Sequence, residues 1–94
     1  MISKTLLVIF DGCRPDALAL AHTPHVDRLW QQGAYTWDAQ SVVPSYTLPA
    51  HMSMFRGVTP ERHGVTDNNF QPSAVDFPSF VDIAHQHRRQ TAMF

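Results

Sequence analysis

Glycine-rich phosphate loops, paired cysteines, long apolar runs and charge of one sign are all missing from this sequence, and each absence removes a class of function. The four glycines stand scattered at Gly12, Gly33, Gly57 and Gly64, so none of the usual Gly-rich loops can cradle a phosphate. The single cysteine, Cys13, leaves no internal disulfide framework, which fits a reducing compartment. Charged residues make up 16% of the chain and the net charge is -1 with the histidines neutral. Neither a basic field nor a Lys/Arg stripe therefore points to a nucleic-acid polymer, and Arg88-Arg89 reads as a solvated helix end. The apolar run Leu6–Phe10 is far too short to span a membrane, and it ends in Asp11-Gly12 rather than in a small-residue cleavage site. With no span or signal peptide legible, the expected location is cytoplasmic.

What is present has globular character. A hydrophobic fraction of 44% fits a folded rather than a disordered chain, and 94 residues make one small domain at most. Leu6–Phe10, continuously apolar and closed by Asp11-Gly12, predicts a strand buried on both faces, as in parallel sheets covered by helices. Thr23 as N-cap, Pro24 at the first helical position and Gly33 after the end predict a helix between them. Val26, Leu29 and Trp30 share one face of it, and burying each would stabilise by roughly 1.5–3 kcal/mol. The β-prone Tyr35, Thr36 and Trp37 place a second strand within 34–43.

A short helix is expected over Pro49–Arg56, with Gly57 after its end. Residues 58–79, broken by Pro60, Gly64, Asp67-Asn68-Asn69, Pro72 and Pro78, read as loop. Ser79 with Asp82 makes a capping box for a helix whose Phe80, Ile83 and Ala84 form an apolar stripe. Gln90–Phe94 reads as the opening of another strand. This alternation suggests an α/β layered fold. A parallel sheet needs more strands, with helices on both faces, so residues 1–94 are expected to be the N-terminal segment of a single, larger catalytic domain.

Two residues invite chemistry on their own. Asp11 sits at the carboxyl end of the first strand, where open α/β sheets place ligands and where a carboxylate can hold a divalent metal. The alternative is a plain Asp-Gly turn. Thr47 lies just ahead of the helix begun by Pro49. A helix N-terminus favours an anion and a developing alkoxide, provided a base or metal takes the hydroxyl proton. The alternative is that Ser45 and Thr47 merely cap the helix.

Context favours the chemical reading. The ordered string Pro44-Ser45-Tyr46-Thr47-Leu48-Pro49-Ala50-His51, then Arg56-Gly57, Pro60-Glu61-Arg62-His63-Gly64 and Asp67-Asn68-Asn69, resembles the type I phosphodiesterase/nucleotide pyrophosphatase family of the alkaline phosphatase superfamily. Thr23 to Leu29 and the segment Asp11 to Arg14 match as well, so the likeness runs from Leu6 to about Asn69. The resemblance implies an alkaline-phosphatase-like three-layer α/β/α sandwich with a mainly parallel sheet. It implies a metal-dependent hydrolase of phosphodiester or pyrophosphate bonds acting on a small-molecule phosphoester or nucleotide.

By the same resemblance, two zinc ions bridge nucleophile and phosphoryl group. Asp11 falls where the first metal carboxylate stands. Thr47 falls at the metal-bound nucleophile, and Asn68 at the residue that donates a hydrogen bond to a phosphoryl oxygen. Metals roughly 3.5–4 Å apart stabilise attacking and leaving oxygens together, and Asn68 with the Thr47 backbone N–H would form an oxyanion-type site.

The other candidates are set aside. His51 and His63 match structural positions; His22, His25, His85 and His87 match no ligand position, and all six are expected to pack or be solvated. Cys13-Arg14-Pro15 has part of the sulfatase signature Cys-x-Pro-x-Arg, but the Arg is replaced by Ala17, so Cys13 is expected to be a small buried residue. Asp11 and Thr47 are two ligands where catalytic zinc takes at least three from protein. The rest of the catalytic domain is thus needed, and the alternative function is a non-catalytic fragment or assembly partner that keeps the fold without the full metal site. Substrate identity and oligomeric state are not written in this segment.

Overall fold

A computed structural model of the chain describes residues 4–69 and 76–94, in two compact units, 1–39 and 40–94. Five helices form among the described residues: α1 Pro15–Leu20, α2 Pro24–Gln32, α3 Thr47–Arg56, α4 Pro60–His63 and α5 Phe80–Gln86. None is long and apolar enough to cross a membrane.

In the first unit α1 was not expected. Pro15 at its first turn and Asp16 beside it are the local reasons it forms. Arg14 grips Asp16 through Nε to Oδ1 at 3.1 Å and Nη2 to Oδ2 at 2.7 Å, and Asp16 Oδ1 accepts from the Ala17 N–H. The α2 helix keeps the expected Thr23, Pro24 and Gly33 boundaries, but Thr23 caps no backbone amide. Its hydroxyl donates to Asp27 Oδ1, which also accepts from Trp30 Nε1. Val26 and Trp30 are half-buried while Leu29 is 72% exposed, so the apolar face is only partly covered.

No β-strand forms among the described residues, which corrects three expectations. Leu6–Phe10 forms no strand and is exposed, from 37% at Ile9 to 86% at Leu6, because a strand needs a neighbour's backbone and covering helices before its side chains are buried. The segment 34–43 bends instead of running straight. Thr36 Oγ1 accepts from the Asp38 N–H, a local bond that competes with a ladder, and Tyr35 and Trp37 turn their rings onto Trp30 in edge-on contacts at 5.2 and 5.9 Å. The expected strand at Gln90–Phe94 is not formed either: beyond α5 the chain folds back, with His85 Nε2 at 2.6 Å from Thr91 Oγ1. Cys13, expected to be buried, is exposed.

The second unit is built on α3. It starts at Thr47 rather than Pro49, which places Pro49 in the first turn, where its missing N–H leaves no helical bond unmade. Gly57 ends it at φ 67°, left-handed backbone that a side chain resists. Residues 58–79 are not wholly loop, since α4 forms where Pro60 opens a turn and Gly64, at φ 76°, closes it; 70–75 lie outside the described residues. The core here is small and polar in part: Pro49, Pro60, His63 and Val65 are buried. Phe55 of α3 meets Phe80 of α5 edge-on at 5.1 Å, and the Arg62 guanidinium stands 5.1 Å over the Phe77 ring. The capping box of α5 is complete, Ser79 Oγ accepting from Asp82 N–H and Asp82 accepting from Ser79 N–H.

Candidate functional site

The sequence between Tyr46 and Asn69 makes a helix start, a buried anchor and a return loop. Tyr46 is the N-cap in extended conformation, and Thr47, Leu48 and Pro49 form the first turn of α3. The first amides of a helix have no partner within it. Here the Leu48 N–H is satisfied from a distance in sequence: it donates to Asn68 Oδ1 at 2.9 Å. Because the donor is a backbone N–H, the acceptor must be the oxygen of the Asn68 amide, which fixes which end of the side chain faces the helix. Asn68 therefore reaches the residue next to Thr47, and both side chains lie in exposed positions.

The return loop is held in shape before it reaches Asn68. Gly64 turns the chain at positive φ, and Val65 N–H donates to His63 Nδ1 at 3.1 Å. His63 is completely buried and its Nε2 lies 2.9 Å from Ser53 Oγ, one helical turn and more along α3 from Thr47. An Nδ1 that accepts carries no proton, so the ring proton sits on Nε2 and donates to the Ser53 hydroxyl. Further on, Asp67 Oδ1 accepts from Asn69 N–H at 2.8 Å, a turn that wraps the Asn68 peptide. His63 is thus buried and held by structural contacts, as expected, and its partners Ser53 and Val65 are not legible from the sequence alone.

Asp11 lies in the first unit, at an exposed Asp11-Gly12 turn closed by the Cys13 N–H to Phe10 carbonyl bond at 3.4 Å, with Gly12 at φ 68°. Thr47 and Asn68 lie in the second unit. No group of three or more His, Cys, Asp or Glu side chains able to hold a metal forms among the described residues. Catalytic zinc takes at least three protein ligands, so the donors described here do not fit a zinc centre by themselves. Three other histidines make local contacts: His87 Nδ1–H donates to the Ile83 carbonyl, His85 Nε2 meets Thr91 Oγ1, and His51 tilts against Phe55 at 6.2 Å.

Two carboxylates outside the candidate site have shifted acidity. Arg14 hydrogen bonding, then the Ala17 N–H, lowers Asp16; the Ser79 N–H and hydroxyl lower Asp82. Both shifts arise from local helix-start contacts rather than from burial, and neither marks a reacting group.

The sequence profile of the type I phosphodiesterase / nucleotide pyrophosphatase family matches residues 5–91. Among individual proteins, the chain is 39% identical over 69 residues to ectonucleotide pyrophosphatase/phosphodiesterase family member 1 of Homo sapiens, covering 68% of this chain and 7% of that one. It is 36% identical over 70 residues to family member 5 of Homo sapiens, covering 73% and 15%. A bis(5'-adenosyl)-triphosphatase of Bos taurus is 35% identical over 66 residues, covering 70% and 15%. The chain thus spans between 7% and 15% of the length of these relatives. No solved structure matches it significantly.

Proposed function

Because this chain belongs to the type I phosphodiesterase / nucleotide pyrophosphatase family of hydrolases, we propose that it is the nucleophile-bearing segment of an enzyme cleaving phosphodiester or pyrophosphate bonds, with Thr47 as nucleophile. The observation that supports this most is the bond from the Leu48 N–H to Asn68 Oδ1, which draws a side-chain amide to the helix turn that carries Thr47. In the reaction the Thr47 hydroxyl gives up its proton to solvent and its oxygen forms a bond to phosphorus as the bond to the leaving oxygen breaks and that oxygen takes up a proton. Water then cleaves the Thr47–phosphorus bond and restores the hydroxyl. Asn68 turns its NH₂ to a phosphoryl oxygen, and the positive end of α3 favours the charge that gathers there. Small nucleotides or related phosphoesters are the substrate class, in keeping with the names of the relatives.

The resemblance also brings two divalent metals, zinc by preference, whose chemistry would be to acidify the hydroxyl and offset phosphoryl charge. Asp11 and Thr47 would be this chain's ligands, and the others would come from outside these 94 residues. The surrounding fold in this reading is the three-layer α/β/α sandwich, with Leu6–Phe10 as a strand of its mainly parallel sheet. In the complete catalytic domain, Thr47→Ala is expected to cut hydrolysis of a phosphodiester reporter by at least roughly a thousandfold. Full zinc-dependent turnover by that variant would refute Thr47 as nucleophile. A phosphomonoester reporter should be turned over more slowly than the diester.

A second reading follows from the shortage of clustered donors among the described residues: the 94-residue chain alone is a non-catalytic fragment or assembly partner. Zinc titration of that chain followed by calorimetry should then give no stoichiometric uptake. Two tightly bound ions per chain would reject this second reading.

A further inference from the structure

The buried imidazole of His63 takes no part in the reaction proposed above, yet it occupies the middle of the contact that carries Asn68. Three bonds run in order from α3 through the return loop and back to α3. Ser53 Oγ meets His63 Nε2 at 2.9 Å, His63 Nδ1 receives the Val65 N–H at 3.1 Å, and Asn68 Oδ1 receives the Leu48 N–H at 2.9 Å. The ring has no exposed surface and Val65 is 8% exposed, so water is a poor substitute for either of the first two bonds. Gly64 at φ 76° directs the chain so that Val65 can reach back to the imidazole. Only Thr66 and Asp67 separate this anchor from Asn68, and Asp67 is itself tied to Asn69 N–H. A loop so short, pinned at Val65, has little room to place the Asn68 amide elsewhere.

We propose that His63 and Ser53 are positioning residues: through Val65 they set the reach of the loop and so hold the Asn68 amide against the first turn of α3, beside Thr47. Their consequence for catalysis rests on the reading of Asn68 given above. Their structural action does not, and the two are separable.

The experiment uses the full-length protein and follows amide hydrogen exchange together with turnover. In Ser53→Ala and in His63→Ala, the Leu48 and Val65 amides are expected to exchange about five- to tenfold faster, while the His87 amide, bonded to the Ile83 carbonyl in α5, keeps its rate. Uniform acceleration across α5 as well would show general destabilisation and overturn the proposal, as would an unchanged Leu48 rate. His63→Asn, which keeps an acceptor near the Nδ1 position, should restore protection at Val65; failure to do so also overturns it. For turnover, Ser53→Ala should lower kcat more than it raises KM, and the double variant Ser53→Ala/Asn68→Ala should be no slower than Asn68→Ala alone. Multiplying losses would mean that Ser53 acts by another route and would overturn the proposal. If Asn68→Ala itself turns over normally while Leu48 exchange responds as stated, the catalytic reading of Asn68 fails and the positioning contact stands.

Discussion

The Asn68 amide has an acceptor end and a donor end, and its acceptor end is committed to the Leu48 N–H. This division predicts how two substitutions differ. Asn68→Asp keeps an oxygen for Leu48 but has no N–H to offer a phosphoryl oxygen, and it adds a charge that repels one. Protection of the Leu48 amide should survive, while turnover in the complete domain falls by about 10²–10³, the usual cost of losing one such donor. Equal turnover in the two proteins would remove Asn68 from the reaction. Gly64 offers a test of backbone alone. Its φ of 76° is left-handed, and an added Cβ would meet nothing within 4 Å. Gly64→Ala should therefore destabilise by about 1–2 kcal/mol through conformation, without a clash, measurable by urea unfolding.

At the scale of helices, starts and stops follow local chemistry closely. The box of Ser79 and Asp82 makes α5 sensitive to acid. Its Ser79 contacts depress the Asp82 carboxyl below the ordinary 3.8, so the stabilisation it gives is present above that value and is lost as pH falls through the lower folded value. Far-UV circular dichroism of the parent and Asp82→Asn should differ near neutral pH and converge in strong acid. Ser79→Ala should cost about 1 kcal/mol. The other end of α5 is a paired cap, with Arg88 N–H to the His85 carbonyl and Arg89 N–H to the Ala84 carbonyl, and it puts Arg88 at φ 57° where glycine is usual. Arg88→Gly should accordingly raise stability by up to about 1 kcal/mol in denaturant titration; a loss would mean that the Arg88 side chain contributes more than its backbone costs.

For the whole molecule the informative feature is the exposed run Leu6–Phe10, with Leu6 at 86% and Phe10 at 67%. Adjacent apolar side chains in water favour association. In the 94-residue chain, Val8→Lys should lower binding of an apolar dye and raise solubility. In a complete domain where this run is a covered strand, the same change would bury an unpaired charge and cost several kcal/mol. Opposite outcomes in the two settings would establish the run as a strand that other parts of the domain cover.

The sequence alone determined the helix boundaries that rest on neighbours in the chain: Thr23, Pro24 and Gly33 around α2, Gly57 after α3, and Ser79 with Asp82 before α5. Such signals act within one turn, so they are legible one residue at a time. The ordered match from Asp11 through Thr47 to Asn68 identified the family for the same reason, as a pattern along the chain. It could not show whether Leu6–Phe10 pairs, because a strand is completed by a partner's backbone and a cover, and Leu6–Phe10 has neither among the described residues. Nor could it show that His63 is buried between Ser53 and Val65, or that Asn68 closes on Leu48. Those contacts join residues that the chain separates, and only the folded backbone brings a donor within reach of its acceptor.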